Sequence, residues 1–384
     1  MKKISEKKLR VLVTISAPAM GGIENQVLSL LERYDRDRFV VDVACGASTE
    51  GALRDKYLAT GTRLILCRWT KYVIPFVWRL LRLLRRGKYD VVHTRAAETS
   101  GAAILAARIA GVPTRIASYH HTVTYWRKPG LINRLAVGIL QWMTRQWATK
   151  IIGVSQAVLD VYHPNWRKHP KKFHICYNGI DIEQFCGREV CSEVRSELGL
   201  PIDSRVVGYV SRFAEVKNHS TFVDMAEHVS RRFENVHFLL VGDGQLRQQI
   251  EVEVANRGLS GRFVFAGNRD DVPRMLAAMD VFVMPSLNEG FPSVVIEAQL
   301  SGLPVVASNI PGIREALCPA MRKFCCHPLD SAGMAEKVIM LLENHQLRSK
   351  LGREGREYVI KRFSISKTVK QLESIYDPAL HKVP

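Results

Sequence analysis

The sequence predicts an α/β protein made of two doubly wound domains in tandem. Short apolar segments alternate with helical patterns along the whole chain, and the alternation runs through two successive series. Continuous apolar strands separated by helices are typical of parallel sheets that are covered on both faces. A polar connection over Asn178–Ser204, which contains Gly179, Gly187, Gly199 and Pro201, separates the two series.

The predicted elements follow one another in a regular order. The predicted strands are Val11–Ser16, Val40–Ala44, Leu64–Leu66, Val91–Thr94, Arg115–Ser118, Ile151–Val154 and Phe173–Cys176, then Val206–Val210, Val236–Val241, Phe263–Ala266, Val281–Pro285 and Val305–Ala307. The predicted helices include Glu24–Arg33, Thr99–Ala110, Asn133–Ala148 and stretches near 218–232, 244–257, 271–278 and 293–301. We therefore expect an N-terminal domain over 1–180, a C-terminal domain over 181–365, and a final helix and tail over 366–384 that could pack on either domain.

Length and composition indicate a globular protein in a reducing compartment. A chain of 384 residues is long enough for two domains, each with its own core. The eight cysteines lack paired zinc spacing, so we expect buried thiols. The first apolar stretch is too short for a signal peptide, and no run of about 18 apolar residues occurs, so we expect a cytoplasmic protein.

The net charge of +18 is concentrated in one half of the chain. Residues 1–180 contain 30 Lys and Arg against 11 Asp and Glu, whereas residues 181–384 contain 25 against 26. A one-sided positive field indicates an anionic partner for the first half: nucleic acid, a membrane surface or a phosphorylated substrate.

Two glutamates flank a turn where a predicted strand enters a helix. Glu289 and Glu297 are separated by seven residues, just after the strand Val281–Pro285. Ligands of open parallel sheets bind at such strand ends. Ser293 is expected to cap the following helix, whose N-terminus suits a phosphate group. A carboxylate would repel phosphate, so both glutamates are better placed to bind sugar or ribose hydroxyls.

Residues 289–298, Glu-Gly-Phe-Pro-Ser-Val-Val-Ile-Glu-Ala, resemble the signature of glycosyltransferase family 4. Gly302–Ala307 and Gly312–Glu315 continue the resemblance, which covers nearly the whole chain and is strongest from Tyr177 onward. The resemblance implies a retaining glycosyltransferase with the GT-B fold, in which two Rossmann-like domains face a central cleft. It also implies a nucleotide-diphosphate sugar as donor.

A donor site is expected in the C-terminal domain. Arg212 and Lys217, five residues apart in one loop, can clamp a diphosphate and stabilise the charge on the leaving nucleotide. The resemblance assigns them this role. The other donor-binding residues that it implies in this domain are Gly242, Gly267, Asn268, Gly290, Phe291, Pro292, Ser293 and Glu297.

The N-terminal domain is expected to contribute two loops. Gly21 and Gly22 follow the first strand and open a helix, and the family places this loop over the donor phosphates and the acceptor. The family also carries a histidine that contacts the donor sugar. His120 matches it best, and His121 remains the alternative. The expected catalytic residues are thus Glu289, His120, Arg212 and Lys217.

The acidic motifs do not predict a metal site. Asp35-Arg36-Asp37 lies in a charged turn, and Asp270-Asp271 is expected to cap a helix. We therefore expect neither an essential metal nor a cofactor, with cations and a helix end stabilising the diphosphate instead. The family's usual mechanism is front-face attack by the acceptor, with the leaving phosphate as base, so the enzyme would supply orientation and electrostatic stabilisation.

Two basic, aromatic segments suggest peripheral contact with an anionic membrane and a lipid-linked or envelope glycan acceptor. Arg79, Arg82 and Arg86 share one helical face within Arg68–Arg86. The second segment contains Trp126, Arg127, Lys128, Arg134, Trp142, Arg145 and Trp147. Basic residues with Trp are typical of interfacial helices, although an amphipathic helix covering a sheet has a similar pattern.

Other functions remain open at this point. A nucleotide-sugar epimerase or a phosphorylase could use the same fold, and a relative could bind donor without turnover. A basic nucleic-acid-binding protein would fit the charge but not the strand-end loops, and no nucleic-acid module is present, so no nucleic-acid partner is expected. UDP is the favoured donor base because it is common in the family.

Overall fold

The computed structural model describes residues 8–19, 21–69, 73–122, 131–185 and 191–377, without the side chains of 131, 132 and 191. The chain divides into two compact units. The first unit comprises Met1–Gly179 together with Ile365–Pro384, and the second comprises Ile180–Ser364.

The first unit is built on a parallel sheet. Its strands are β1 (Leu9–Ile15), β2 (Phe39–Cys45), β3 (Leu64–Leu66), β4 (Val91–Thr94), β5 (Thr114–Tyr119), β6 (Lys150–Gly153) and β7 (Phe173–Ile175). Within the described residues the sheet has seven strands in the order β3-β2-β1-β4-β5-β6-β7. The chain adds strands on one side of β1 and then crosses to the other side, so β1 and β4 form a topological switch point.

Helices cover both faces of this sheet. They are α1 (Gly22–Leu31), α2 (Arg54–Ala59), α3 (Val73–Gly87), α4 (Ser100–Ile109), α5 (Leu131–Trp147), α6 (Gln156–Tyr162) and, at the end of the chain, α15 (Ile365–Tyr376). α1, α2 and α15 share one hydrophobic core with the sheet, while α3 and α4 share another. α4 packs against both α3 and α5.

The second unit repeats the architecture. Its strands are β8 (Arg205–Val210), β9 (Val236–Val241), β10 (Phe263–Gly267), β11 (Val281–Met284), β12 (Val305–Ser308) and β13 (Cys325–Cys326). Its helices are α7 (Cys191–Glu197), α8 (His219–Arg232), α9 (Arg247–Asn256), α10 (Val272–Ala277), α11 (Ser293–Leu300), α12 (Pro311–Ala316), α13 (Ser331–Glu343) and α14 (His345–Arg362). The parallel strands follow the order β10-β9-β8-β11-β12-β13 in the described part of the chain, which places the switch point between β8 and β11.

The predicted α/β fold with two doubly wound domains is confirmed, and every predicted strand is present with its ends shifted by at most two residues. β13 was not predicted, because two residues are too few to show a periodic pattern. The expectation that Asp271 caps a helix was wrong in one respect. Asp271 is at the N-cap position of α10 but makes no capping hydrogen bond, because its carboxylate pairs with Arg269 and Arg274 instead.

The final helix belongs to the first unit. α15 buries Ile365, Val369, Leu372 and Ile375 in the core that it shares with α1. Its last residue, Tyr376, forms hydrogen bonds with His93 Nδ1 at 2.8 Å and with the Tyr34 hydroxyl at 3.1 Å. These buried polar contacts fix the orientation of a helix that apolar packing alone would leave free to shift.

Two helical glycines give a matched test of this packing. A Cβ on Gly101 in α4 would lie 2.1 Å from the carbonyl oxygen of Leu140 in α5, whereas a Cβ on Gly138 in α5 would meet nothing within 4 Å. We expect Gly101→Ala to destabilise the protein by about 1–3 kcal/mol, because backbone must move. Gly138→Ala should be neutral or stabilise by up to about 1 kcal/mol, because alanine favours the helix. Urea unfolding of both variants measures the difference, and equal free energies of unfolding would contradict the described α4–α5 contact.

Candidate functional site

The candidate site of the second unit lies at its switch point. The loops that leave β8 and β11 both start from the carboxyl edge of the sheet, and these two strands are neighbours. Loops that leave neighbouring strands toward opposite faces create a crevice at this edge. The predicted residues Arg212, Lys217 and Glu289 all lie on these two loops.

An ion pair joins the two loops. Lys217 Nζ lies 2.5 Å from Glu289 Oε1, although the residues are 72 positions apart in the chain. The two side chains keep only 22% and 12% of their surface exposed. Charge-assisted hydrogen bonds of this kind are stronger than neutral ones, and removing one partner leaves the other charge partly buried without compensation.

The loop that carries Lys217 is held by further hydrogen bonds to the loop after β11. The backbone N–H of Leu287 donates to the Val216 carbonyl at 2.8 Å. The Tyr209 hydroxyl lies 3.0 Å from the Lys217 carbonyl and 3.0 Å from the Ser286 hydroxyl. The backbone around Lys217 is therefore positioned by contacts that do not involve its ammonium group.

Asn218 completes this support. Its backbone is left-handed, with φ of 54°, and its side-chain amide donates to the carbonyls of Pro285 and Pro328 at 3.1 and 2.9 Å. Asparagine tolerates left-handed backbone better than most residues. Sequence reasoning missed this structural role, although an Asn directly before the first residue of a helix was a signal.

The backbone of Glu289 is approached closely from α12. A Cβ on Gly312 would lie 2.2 Å from the Glu289 carbonyl oxygen and 2.7 Å from that of Gly290. Only glycine allows this approach without movement of the loop. Gly312 therefore helps to position Glu289, a role that the sequence motif did not disclose.

Arg212 lies two residues beyond β8 and is exposed. Within the described residues its guanidinium forms no hydrogen bond or ion pair. The loop around it is fixed by a close contact to the next loop: Gly242 has φ of 130°, and a Cβ there would lie 2.0 Å from the Ser211 carbonyl oxygen. The backbone conformation and this close contact therefore require glycine at position 242, in addition to the predicted role of Gly242 in donor binding.

His219 packs under the same loop. Its ring stacks on Phe213 at 4.1 Å, and its Nε2 lies 3.1 Å from the Ser211 hydroxyl. Burial, assisted by the charge of Lys217, lowers the pKa of His219 to about 4. The imidazole is therefore neutral near pH 7 and does not add a positive charge to the site.

The start of α11 differs from the expectation. Pro292, with φ of −75° and ψ of 111°, is at the N-cap position, and Ser293 is the first helical residue without a capping hydrogen bond. The prediction that Ser293 caps the helix was therefore wrong, because the proline already supplies the extended backbone that precedes the helix. Phe291 is buried and packs edge-on against Phe363 at 5.3 Å. Gly290 is buried as well.

Glu297 lies inside α11 and is partly buried. Burial raises the pKa of its carboxyl group to about 7. A carboxyl with this pKa is protonated in part at neutral pH, so it can donate as well as accept a hydrogen bond to a hydroxyl.

Gly267 and Asn268 lie at the end of β10. Gly267 has φ of 69°, and its carbonyl accepts a 2.8 Å hydrogen bond from the N–H of Gly242. Asn268 is exposed. These residues therefore belong to the same edge of the sheet as Arg212, because β10, β9 and β8 are adjacent and parallel.

The predicted residues of the first unit lie at the carboxyl ends of β1 and β5. Gly21 is the N-cap of α1 in an extended conformation, and Gly22 is exposed with open space around it. His120 directly follows β5, and its Nε2 is enclosed without a hydrogen-bond partner. Burial, and secondarily the charge of Arg95, lowers the pKa of His120. Burial also lowers the pKa of His121, so both imidazoles are neutral and the choice between them stays open.

Several sequence features fall outside the described residues: Met20, Thr70 to Tyr72, Trp126 to Lys128 and Gly187. Where the structure describes the chain, no group of three or more His, Cys, Asp or Glu side chains is placed to hold a metal ion. The same part of the chain contains no helix with both the length and the apolar character to cross a membrane. Asp35 and Asp37 form the expected turn, in which the Asp35 carboxylate accepts the N–H of Asp37.

Two family models match the chain, one in each half. Residues 192–358 match the model for glycosyl transferases group 1, and residues 20–184 match the model for glycosyltransferase family 4. EpsF of Bacillus subtilis strain 168, which is named as a glycosyltransferase, is 30% identical over 312 residues, with 80% of each chain covered. This chain belongs to glycosyltransferase family 4.

A second relative of this family 4 glycosyltransferase covers nearly its full length. The UDP-Gal:alpha-D-GlcNAc-diphosphoundecaprenol alpha-1,3-galactosyltransferase of Escherichia coli is 27% identical over 384 residues, which cover 97% of this chain and 98% of the relative. The predicted family and enzyme class are therefore confirmed.

Solved structures confirm the GT-B fold class with its two Rossmann-like domains. Anabaena Alr3699/HepE in complex with UDP has a TM-score of 0.80 at 22% identity, covering 98% of this chain and all of its own. WaaG, a glycosyltransferase involved in lipopolysaccharide biosynthesis, has a TM-score of 0.74 at 16% identity, covering 96% of this chain and 99% of its own.

The raised pKa of Glu297 predicts a pH dependence of stability in this glycosyltransferase. The folded state binds more protons than the unfolded state between the ordinary pKa of 4.5 and about 7, so stability should fall as pH rises through that range. We expect wild type to lose about 2 kcal/mol of unfolding free energy relative to Glu297→Gln between pH 5 and pH 8. Urea unfolding of both proteins across this range measures it, and parallel pH profiles would refute the raised pKa.

Proposed function

We propose that this enzyme is a retaining, metal-independent glycosyltransferase that moves a hexosyl group from a UDP-sugar to a hydroxyl of a lipid-linked or envelope glycan precursor. The observation that carries the proposal is the Lys217–Glu289 ion pair at the switch point of the second sheet. A cation beside a carboxylate suits a ligand that has both a diphosphate and sugar hydroxyls, and the pair lies in the crevice where this class of sheet binds ligands.

The second unit would stabilise the leaving group. Lys217 offers a point charge and Arg212 a planar fork of donors, and the N-terminus of α11 offers backbone N–H groups. Negative charge grows on the diphosphate as the glycosidic bond breaks, and fixed cations lower the energy of that state. Catalysis would need no metal ion, since these groups supply the positive charge.

Glu289 would orient the donor sugar. A carboxylate that is held by Lys217 can accept hydrogen bonds from sugar hydroxyls, while the ion pair limits its repulsion of the neighbouring phosphate. In the front-face mechanism the leaving phosphate takes the proton of the acceptor hydroxyl, and both bonds change on one face of the sugar, so configuration is retained. His120 of the first unit, kept neutral by its environment, would contact the donor sugar.

The ion pair gives the sharpest mutational test of this function. We expect Lys217→Ala to lower kcat/KM for transfer by about 100-fold or more, because the leaving diphosphate loses a fixed charge. Glu289→Gln should lower it by about tenfold or more, because the amide keeps the shape but not the charge. Steady-state transfer from UDP-sugars to a polyprenyl-diphosphate-linked sugar measures both.

Arg232→Ala is the matched control, because it breaks another Lys/Arg–Glu pair of the same unit, the exposed pair with Glu343 at 2.7 Å. Its transfer rate should match wild type, since exposed pairs contribute little to stability and this pair lies on helices α8 and α13. Turnover of Lys217→Ala close to that of Arg232→Ala would rule out the proposed role of the ion pair.

The proposed acceptor class rests on relatives and on charge. The name of the Escherichia coli relative specifies a UDP-galactose donor and a diphosphoundecaprenol-linked acceptor. A phosphatidyl-myo-inositol mannosyltransferase of Mycobacterium leprae is 26% identical over 383 residues. An acceptor carried by a membrane lipid fits the excess of Lys and Arg in residues 1–180, because anionic surfaces attract such a field.

Exposed apolar side chains on the first unit support the proposed contact with a membrane. It consists of exposed apolar side chains on α3 (Val73, Ile74 and Trp78) and on α5 (Leu135, Ile139 and Trp142), which we call the α3/α5 surface. Exposures run from 42% to 83%, and both helices pack on α4. Arg82 stacks over Trp78 at 4.2 Å, and Arg79, Arg85 and Arg86 are exposed on α3. Exposed aromatic and aliphatic residues beside cations suit the headgroup region of an anionic bilayer on the inner face of the cell membrane.

The α3/α5 surface predicts binding to vesicles. The double variant Trp78→Ala/Trp142→Ala should bind vesicles containing phosphatidylglycerol about tenfold or more weakly than wild type, because both interfacial anchors are lost. Vesicle co-sedimentation at low salt measures the affinity, and added salt should weaken wild-type binding. Ile202→Ala removes an equally exposed apolar side chain of the second unit and should change nothing. Equal binding of all three proteins, or binding to neutral vesicles alone, would contradict membrane docking through this surface.

A further inference from the structure

Arg95 occupies the switch point of the first sheet. It directly follows β4, whose neighbour on one side is β1 and on the other β5. Its backbone N–H donates to the Thr14 hydroxyl of β1 at 3.4 Å, which ties the start of the loop to the neighbouring strand. Arg95 thus lies at the same topological position in its unit as the candidate donor loops in theirs. No sequence motif includes this residue.

The guanidinium of Arg95 is buried and forms no ion pair with any of the described residues. Only 9% of the residue is exposed, and Nε and Nη1 are enclosed without hydrogen-bond partners among the described residues. The carboxylate nearest in sequence, Glu98, is engaged elsewhere, since its Oε1 accepts the Tyr162 hydroxyl at 2.9 Å. A buried guanidinium without an acceptor is costly, so proteins that retain one generally use it to bind an anion.

The groups that surround Arg95 are either uncharged or form no ion pair with its guanidinium. A small cavity of about 10 Å³ is lined by Arg95, by Tyr34, His93 and Tyr376, and by apolar side chains of β1 and α1, and none of these carries a negative charge near neutral pH. Burial, and secondarily the charge of Arg95, keeps the pKa of His93 low. Glu24 lies in the first turn of α1. Burial raises the pKa of Glu24, and the charge of Arg95 opposes this effect in part. The two side chains nevertheless form no ion pair. No carboxylate of the described residues is therefore hydrogen-bonded to the Arg95 guanidinium.

The loop that carries Arg95 also contains backbone strain. Ala97 is buried and has a left-handed φ of 44°, which a residue with a Cβ adopts only at a free-energy cost. The surrounding contacts hold this conformation, including the buried Glu98–Tyr162 hydrogen bond. Strain held in this way is concentrated at binding and catalytic loops, which agrees with a ligand role for the loop.

We propose that Arg95 is a phosphate-binding residue of the first unit, in a subsite between the carboxyl ends of β1 and β4 that takes a phosphate or diphosphate group. The planar guanidinium suits the tetrahedral oxygens of phosphate, and the N-terminus of α1 at Gly21 provides further donors at the end of β1. Under the proposed function this chemistry has two sources, the diphosphate of the nucleotide sugar and the diphosphate of a lipid-linked acceptor.

Calorimetric titration of the full-length protein with UDP, and separately with geranylgeranyl diphosphate in detergent, tests the subsite. Arg95→Met should weaken binding of at least one probe by about tenfold or more, and Arg95→Lys by less, because lysine keeps the charge but not the fork. Loss confined to the lipid diphosphate assigns the subsite to the acceptor, and loss confined to UDP assigns it to the donor. Without ligand, Arg95→Met should melt at the same temperature as wild type or higher, because it removes an uncompensated buried charge.

Two further variants make the outcome decisive. Arg54→Met removes an arginine of α2 that pairs with Glu50 and Asp55 at the surface, and it should leave both affinities unchanged. Lys217→Ala removes the cation of the second unit, so lipid diphosphate binding that survives it but not Arg95→Met separates this subsite from the proposed donor site. Unchanged affinity of Arg95→Met and Arg95→Lys for both probes would overturn the proposal, whatever their melting temperatures. If Arg95→Met does not fold, Arg95→Lys alone decides.

Discussion

The candidate site of the second unit depends on how two loops are held together, and the ion pair between Lys217 and Glu289 joins the side chains that they carry. β8 and β11 are adjacent, but the loops that leave them belong to chain segments about 70 residues apart, and each segment begins a different helix. The ion pair, the Leu287–Val216 backbone hydrogen bond and the Asn218 amide fix the position of one loop relative to the other. Because Gly312 also packs against the Glu289 carbonyl, the carboxylate is positioned before any ligand arrives.

The two units use the same topological position with different charges. At the switch point of the second sheet a cation is paired with a carboxylate, which suits a ligand that has both phosphates and hydroxyls. At the switch point of the first sheet Arg95 stands without a carboxylate partner, beside histidines whose pKa is lowered by burial. The first arrangement suits a nucleotide sugar, and the second suits an anionic group alone.

The sequence predicted most of the fold, because parallel strands that are buried on both faces produce continuous apolar segments. It also predicted Arg212, Lys217 and Glu289 as site residues through the family resemblance. It did not predict the pairing of Lys217 with Glu289 or the isolation of Arg95, because both depend on which strands become neighbours. The prediction that Ser293 caps α11 was wrong for a local reason. A serine before an apolar helix resembles an N-cap residue, but Pro292 already occupies the N-cap position.

We propose that the diphosphate of the donor lies against Lys217 and the start of α11. A crystal structure of the protein soaked with UDP would locate this diphosphate. We expect diphosphate density within about 3 Å of Lys217 Nζ and of backbone N–H groups at the start of α11, with Arg212 turned toward the phosphates. Well-defined UDP density elsewhere, with the Lys217–Glu289 pair untouched by the ligand, would contradict it.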